Sequence, residues 1–269
     1  MSGRLIVPAE RQSNKTYLWW KFLCFTALVN IGIWMWAILV RMDMPDFSLV
    51  QPILSGIYVF ICAFRSFFPR IDLERFCLVD TPLSNVALGR TFATVAEICF
   101  SIQCALIVNE LGVLLNSATI TQVSYVIVPI IVIAQICCWY AALTLNHFWH
   151  GIEESAWVVM VLLAAGCFYA GFIELSGIQK IIMLTGIFSC LGSAYIMVCI
   201  DIPMYLSRQK SHAELARRYL GIIEGMQDAI SRRVHTADWA IWKKETIWIT
   251  TYFTFGVWLS IAMVFVRFK

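Results

Sequence analysis

Seven apolar segments, each roughly twenty residues or longer, constrain this chain more than any other feature, because an α-helix of that length crosses about 30 Å of hydrocarbon. Only 14% of the 269 residues are charged, whereas about a quarter of a soluble domain is charged. The sequence therefore predicts an all-α, polytopic transmembrane helical bundle with seven spans. The predicted spans are 17–40, 50–68, 84–111, 121–145, 152–173, 178–206 and 246–266.

We expect one integral membrane domain over residues 1–269, with a polar cytoplasmic segment, 207–245, between spans six and seven. Nine of the ten cysteines fall inside apolar runs, and no CxxC motif occurs. Cysteines in such runs behave as small hydrophobic residues. The sequence therefore favours neither a disulfide framework nor a cysteine metal site.

Positive charge is distributed unevenly along the chain. Sixteen of the twenty lysines and arginines lie before or at the start of span one, around the connection of spans two and three, or between spans six and seven. Lysine and arginine favour cytoplasmic loops. We therefore expect the amino terminus inside, the carboxyl terminus outside, and a location in the plasma or inner membrane of a cell.

Two polar connections carry apolar residues in patterns typical of the membrane interface. In 69–80 charged and apolar residues alternate, and we expect a short interfacial helix. In 207–245 apolar residues recur at helical spacing, which predicts an amphipathic helix that rests on lipid headgroups or docks against the bundle. Its stripe consists of Leu215, Tyr219, Ile222, Met226 and Ile230.

The third span carries polar residues along one face. Arg90, Thr94, Glu97 and Ser101 are separated by four, three and four residues, so a helix points them the same way. Glu97 falls near mid-bilayer, where a carboxylate is costly and by default indicates function. We predict a role for it in proton transfer, with Arg90 as its partner or as an anion clamp. An interhelical hydrogen bond is the structural alternative.

The segment 146–157 reads Asn-His-Phe-Trp-His-Gly-Ile-Glu-Glu-Ser-Ala-Trp and holds two of the four histidines. On a continuous helix His147, His150 and Glu154 share a face, and two imidazoles with a carboxylate are a competent set for zinc or iron. We predict a divalent metal site from these three residues. The alternative is an interfacial turn in which Glu153 and Glu154 favour the start of the fifth helix.

The predicted topology gathers the ionisable residues of spans three, five and six in the cytoplasmic third of the bundle. We expect a polar pocket that opens towards the cytoplasm and is partly covered by 207–245. Its predicted catalytic residues are Glu153, Glu154, His147, His150 and Glu97, and its predicted substrate-binding residues are Arg90, Asn146, Asp201, Tyr205 and Trp157.

The last span excludes two kinds of seven-helix protein. It has no lysine to form a retinal Schiff base, and it has no histidine to match the zinc-binding pair of the progestin and adiponectin receptor family. Neither class of function is therefore indicated.

Three functions are compatible with these patterns. The leading hypothesis is an intramembrane enzyme that acts on a lipid or lipid-like substrate at the cytoplasmic leaflet. The second is a proton- or cation-coupled transporter or channel, in which Glu97 and Asp201 carry the ion and Pro129 and Pro203 supply helix breaks. The third is a non-catalytic membrane subunit, whose basic segment binds a partner or a second copy. Membrane lipids are the expected partners, and nucleic acid is not.

Overall fold

The computed structural model describes residues 9–43, 48–214 and 218–268, and seven of its helices are long and apolar enough to cross a membrane. The predicted spans are therefore confirmed as helices. The first five are α1 (Ala9–Met42), α2 (Val50–Phe67), α3 (Val86–Leu114), α4 (Ala118–Thr144) and α5 (His147–Glu174). The sixth is a continuous helix in which a π-helical turn, Met197–Asp201, joins α6 (Gly177–Ile196) to α7 (Ile202–Glu214).

The connection between α2 and α3 corrects the sequence prediction. The interfacial helix expected in 69–80 is wrong, because β1 (Arg70–Ile71) and β2 (Phe76–Cys77) form an antiparallel hairpin. A third strand, β3 (Val234–His235), pairs with β2 in parallel. The alternation of charged and apolar residues in this segment has the period of two that suits a strand, and Arg75 turns the chain with φ of 60°.

Helix α8 (Ile222–Ser231) docks against α3 and α4 next to this small sheet. Its buried residues are the small ones, Gly225 and Ala229. Ile222 and Ile230 of the predicted stripe are more than half exposed, while Leu215 lies outside the described residues. The helix is thus docked through one face and leaves an apolar face open beside it.

Arg75 fastens α8 to the bundle. Its Nε donates to Asp228 Oδ2 at 2.7 Å, and its two terminal nitrogens donate to the carbonyl oxygens of Asp72 and Ala142 at 2.6 and 2.9 Å. The side chain is fully buried. One guanidinium therefore joins the hairpin, the end of α4 and α8, and each of its three nitrogens has an acceptor.

The short helix α9 (Trp239–Trp242) leads into the last span, which consists of α10 (Thr246–Thr251), a π-helical turn (Tyr252–Gly256) and α11 (Val257–Met263). This span packs against α1, α2 and α3. One apolar cluster joins it to α1 and α2, with Trp19 and Trp242 in ring contact at 5.7 Å. A second cluster joins α3, α4, α5 and α6.

Neither predicted helix break interrupts its helix. Pro129 lies inside α4, and Pro203 lies one residue into α7, directly after the π-helical turn. Proline lacks the amide hydrogen that an α-helix requires, and a π turn accommodates such a local change in hydrogen bonding. The sixth span therefore continues past Pro203 as one helix.

We expect Gly225→Ala to release α8, because a Cβ at this position would lie 2.1 Å from the carbonyl oxygen of Leu143. Trypsin digestion of the purified protein in detergent should cleave near Arg232 several-fold faster than in the wild type. Gly221→Ala is the matched control, since a Cβ there meets nothing within 4 Å. Equal cleavage rates in the two variants would show that α8 does not depend on this close approach.

Candidate functional site

The buried polar centre of the bundle begins with an ion pair inside α3. Asn85 starts this helix, because its side chain accepts a hydrogen bond from the amide of Leu88 at 2.7 Å. Two turns apart, Arg90 Nη2 donates to Glu97 Oε1 at 2.9 Å, and both residues are more than nine-tenths buried. The predicted pairing of these two residues is therefore present.

Two other helices, α4 and the last span, supply partners to this ion pair. The amide of Gln135 donates to Glu97 Oε2 at 2.5 Å, and the hydroxyl of Tyr252 donates to Oε1 at 3.3 Å. Thr94 links the same amide to the indole of Trp139, with both hydrogen bonds at 3.0 Å. The sequence analysis missed Gln135, whose signal was an isolated amide in the apolar run that forms α4.

The opposite wall comes from the start of α5. Asn146, whose predicted role in substrate binding stays a prediction, caps this helix: its Oδ1 accepts from the amide of Phe148 at 3.1 Å, as N-cap residues do. The helix consequently begins at His147, and both histidines of this segment are helical. His147 and His150 both stack on Tyr205 of α7, at 6.4 and 4.7 Å between ring centroids.

His150 points towards α4 and meets two possible ligand groups there. Its Nδ1 lies 2.6 Å from Glu153 Oε2 and 3.8 Å from Cys138 Sγ. All three residues are buried. Cys138, expected to be a simple hydrophobic residue, is therefore part of a polar cluster that two helices form together.

The structure gathers a different set of donors from the one predicted. Among the described residues, the group of His, Cys, Asp and Glu donors close enough to share one metal ion is Cys138, His150 and Glu153, not His147, His150 and Glu154. Glu153 follows His150 by three positions and turns inward with it. Glu154 comes about 100° further round the helix and is only half-buried.

The remaining predicted residues lie around this cluster. Asp201 is buried at the end of the π-helical turn and interacts electrostatically with Glu154 and Glu245. Trp157 packs against the second apolar cluster, and its predicted role in substrate binding stays a prediction.

Arginines are in excess where α2, the hairpin and α3 meet. Asp72 Oδ1 accepts from Arg70 Nε at 2.9 Å, and Asp72 Oδ2 lies 3.8 Å from Arg90 Nη1. Burial alone would raise the pKa of Asp72, but Arg70, Arg65 and Arg90 together lower it to about 2. Burial also lowers the pKa of Arg70 to about 10.

The guanidinium groups in this region are not fully satisfied. Arg70 Nη2 and Arg90 Nε are buried without a hydrogen-bond partner. Arg65 is also buried, with its guanidinium 5.4 Å from the ring centroid of Phe253. Among the described residues, the carboxylates in ion pairs with this group of arginines are those of Asp72 and Glu97. The region therefore carries spare positive charge and spare donors.

A cleft of ≈ 510 Å³ opens at the same end of the bundle. Segment 207–245 contributes Arg218, Arg232 and Val234 to its wall. His147 also lies on this wall, one helical turn before His150. The lining residues are Leu73, Glu74, Phe76, Leu145, His147, Arg218, Arg232 and Val234.

A second polar cluster, unnoticed in the sequence, lies further along α3. Gln103 Nε2 donates to Gln51 Oε1 at 3.0 Å, and Ser260 Oγ donates to Gln103 Oε1 at 2.6 Å and lies 3.2 Å from Ser55 Oγ. All four side chains are buried. They join α2, α3 and the last span through uncharged groups that satisfy one another.

The chain matches no protein-family model, no curated protein sequence and no solved structure. What the site does must therefore be inferred from its own geometry and chemistry.

We expect Glu97→Gln to lower the free energy of unfolding by about 3–5 kcal/mol, because it leaves a buried guanidinium without its carboxylate. Arg90→Gln/Glu97→Gln should lose less than the sum of the two single variants. Thermal unfolding in detergent measures all three. Glu224→Gln is the control, since its pair with Arg218 is largely exposed and should contribute little. Additive losses would mean that the two buried charges are not coupled.

Proposed function

We propose that this chain is an integral membrane enzyme that acts on an anionic lipid or lipid-like substrate. One observation carries the proposal: a buried imidazole–carboxylate pair, His150 and Glu153, adjoins a buried arginine with an unused donor. Arg90 interacts electrostatically with both Glu153 and Cys138. A base and an anion-binding group thus lie side by side in the apolar interior, where polar groups are expensive and usually functional.

The pair provides the elements of general acid–base chemistry. A carboxylate 2.6 Å from an imidazole nitrogen holds the ring in one orientation and stabilises the imidazolium that forms when the ring accepts a proton. Tyr205 stacks on the same ring at 4.7 Å and fixes its plane. We infer that His150 and Glu153 accept a proton from water or from a substrate hydroxyl during hydrolysis or group transfer.

The proposed substrate is anionic because the arginine region has spare charge. Phosphate and carboxylate groups accept hydrogen bonds from guanidinium groups in a fork geometry. The unpartnered nitrogens of Arg70 and Arg90 are suited to such a group. A headgroup that neutralised this excess would also relieve the cost of burying three arginines beside two carboxylates.

The surroundings suit a substrate that arrives from the bilayer. The cleft beside His147 holds room for a polar headgroup. Helix α8, next to it, presents Ile222, Ile223 and Ile230 outward, all more than half exposed. An apolar face flanked by Arg218 and Arg232 is typical of helices that lie in the headgroup region. We infer that α8 contacts the leaflet from which the substrate enters.

We further propose that this end of the bundle is cytoplasmic, with the amino terminus inside and the carboxyl terminus outside a plasma or inner membrane. The proposal rests on the sixteen lysines and arginines in the segments that this orientation places at the cytoplasmic face. Epitope tags at the two termini test it in intact and permeabilised cells. We expect antibody to reach the carboxyl-terminal tag in both and the amino-terminal tag only after permeabilisation. The reverse pattern would exclude the proposed orientation.

Proton-coupled transport is less well supported by the same residues. A proton path across the bilayer would need exchangeable groups from Glu97 towards the opposite face. Further along α3, Gln103 hydrogen-bonds to Gln51 of α2 and Ser260 of the last span through uncharged amides and hydroxyls. Such a cluster is typical of helix association.

We expect Glu153→Gln to abolish turnover, because the amide cannot stabilise an imidazolium at His150. The purified protein is reconstituted in vesicles of defined anionic and zwitterionic lipids, and products are identified by mass spectrometry. Glu174→Gln, at the exposed far end of the same helix, should retain wild-type turnover. Circular dichroism confirms that both variants fold. The proposal would be refuted if the wild type and Glu153→Gln converted lipid at the same rate. It would also be refuted if the wild type converted no lipid in any mixture.

A further inference from the structure

Cys138, His150 and Glu153 have the donor chemistry and the convergence of a zinc site. Their donor atoms all lie within 4.8 Å of one another. Zinc binds thiolate, imidazole and carboxylate at about 2.0–2.3 Å, so donors at the corners of its tetrahedron lie about 3.3–3.7 Å apart. Sγ and Nδ1 are already 3.8 Å apart, and Nδ1 and Oε2, at 2.6 Å, need to separate by less than 1 Å.

The orientation of His150 distinguishes a ligand cluster from a nucleophilic triad. In a triad the two ring nitrogens have separate partners, one for the nucleophile and one for the carboxylate. Here the same nitrogen, Nδ1, faces both Cys138 Sγ and Glu153 Oε2. Three donors that converge on one point are the arrangement that a metal ion requires.

The charges of the surroundings favour a dication. When a metal displaces the proton of Cys138, its thiolate and the Glu153 carboxylate together supply two negative charges, and Glu97 and Glu154 interact electrostatically with Glu153. Burying these anions without a cation is costly. Arg90 is the nearby cation, and it already pairs with Glu97.

We propose that Cys138, His150 and Glu153 bind one Zn²⁺ ion, with a fourth position left for water or substrate. The thiolate selects zinc over magnesium or calcium, which prefer oxygen ligands. The single histidine distinguishes the set from the two-histidine carboxylate site of non-haem iron enzymes. Three protein ligands and one open position are characteristic of catalytic rather than structural zinc.

The inference deepens the proposed function by giving its reaction a metal-bound water, yet its test is independent of turnover. Zn²⁺ bound to water lowers the pKa of that water to about 7, which makes a nucleophile available at neutral pH. His150 and Glu153 would then act as ligands. Glu154, half-buried on the next position of the helix, is the nearest remaining carboxylate on α5 to accept the proton.

The test is metal binding by the full-length protein in detergent. After treatment with a chelator and dialysis against a small excess of ZnCl₂, we expect about one zinc per wild-type chain by elemental analysis. Cys138→Ala and Glu153→Gln should each lower this content at least tenfold. Cys167→Ala is the matched control, because Cys167 is buried in the apolar cluster of α5, and it should bind zinc as the wild type does.

A second measurement identifies the ligands. Co²⁺ in place of Zn²⁺ should give a thiolate-to-metal charge-transfer band that Cys138→Ala removes and that His147→Gln and Glu154→Gln preserve. Loss of metal in those last two variants, with retention in Cys138→Ala, would assign the ion to His147, His150 and Glu154 and overturn the inference. A folded wild type that takes up no metal would also overturn it. Lipid turnover without bound metal would refute the zinc site alone, whereas zinc binding without turnover would refute only the proposed function.

Discussion

The ion pair between Arg90 and Glu97 is the constraint on which the rest of the bundle depends. Ionised groups in an apolar interior are tolerated only when partners compensate for lost water. Glu97 takes its partners from α3, α4 and the last span, through Arg90, Gln135 and Tyr252. These hydrogen bonds fix the rotation of three helices about their axes. Contacts between apolar side chains alone would determine those rotations only weakly. The same Arg90 reaches Asp72, so the hairpin outside the spans is aligned with the pair inside them.

A second guanidinium orders the end of the bundle. Arg75 ties the hairpin to α4 and α8, and the absence of a side chain at Gly225 lets α8 approach the carbonyl of Leu143. Once α8 is docked by its small residues, its isoleucines face outward, and Arg218 and Arg232 line the cleft beside His147. The polar segment between the last two spans is therefore an integral part of the cleft. Its apolar and basic groups belong to the same surface, as the lipid contact proposed above requires.

Sequence reasoning was accurate where the relevant information lay within one helix. The spans follow from apolar length, and Arg90 and Glu97 pair because seven residues make two helical turns. It was inaccurate where information came from elsewhere. The segment 69–80 is too short for its alternating pattern to distinguish a hairpin from a short helix. Gln135 and Cys138 meet their polar partners because of how α4 is rotated against α3 and α5. The sequence of α4 alone does not determine that rotation. Trp157 shares the polar stretch with His150, but the neighbours of α5 turn it into the apolar cluster.

The position of Cys138 explains why the sequence alone did not mark it as a possible metal ligand. In the sequence it is one of nine cysteines in apolar runs, and all nine have the same local character. Only the neighbouring helix distinguishes it, by bringing the imidazole of His150 within 3.8 Å. Arg90 then lies between two regions of opposite charge: spare guanidinium donors around Asp72 on one side, and the carboxylates of Glu153 and Glu154 on the other. A substrate that joins an anionic headgroup to an electrophilic centre matches this division, because its anion would meet the arginines while its reactive bond faced the cluster that can hold a cation.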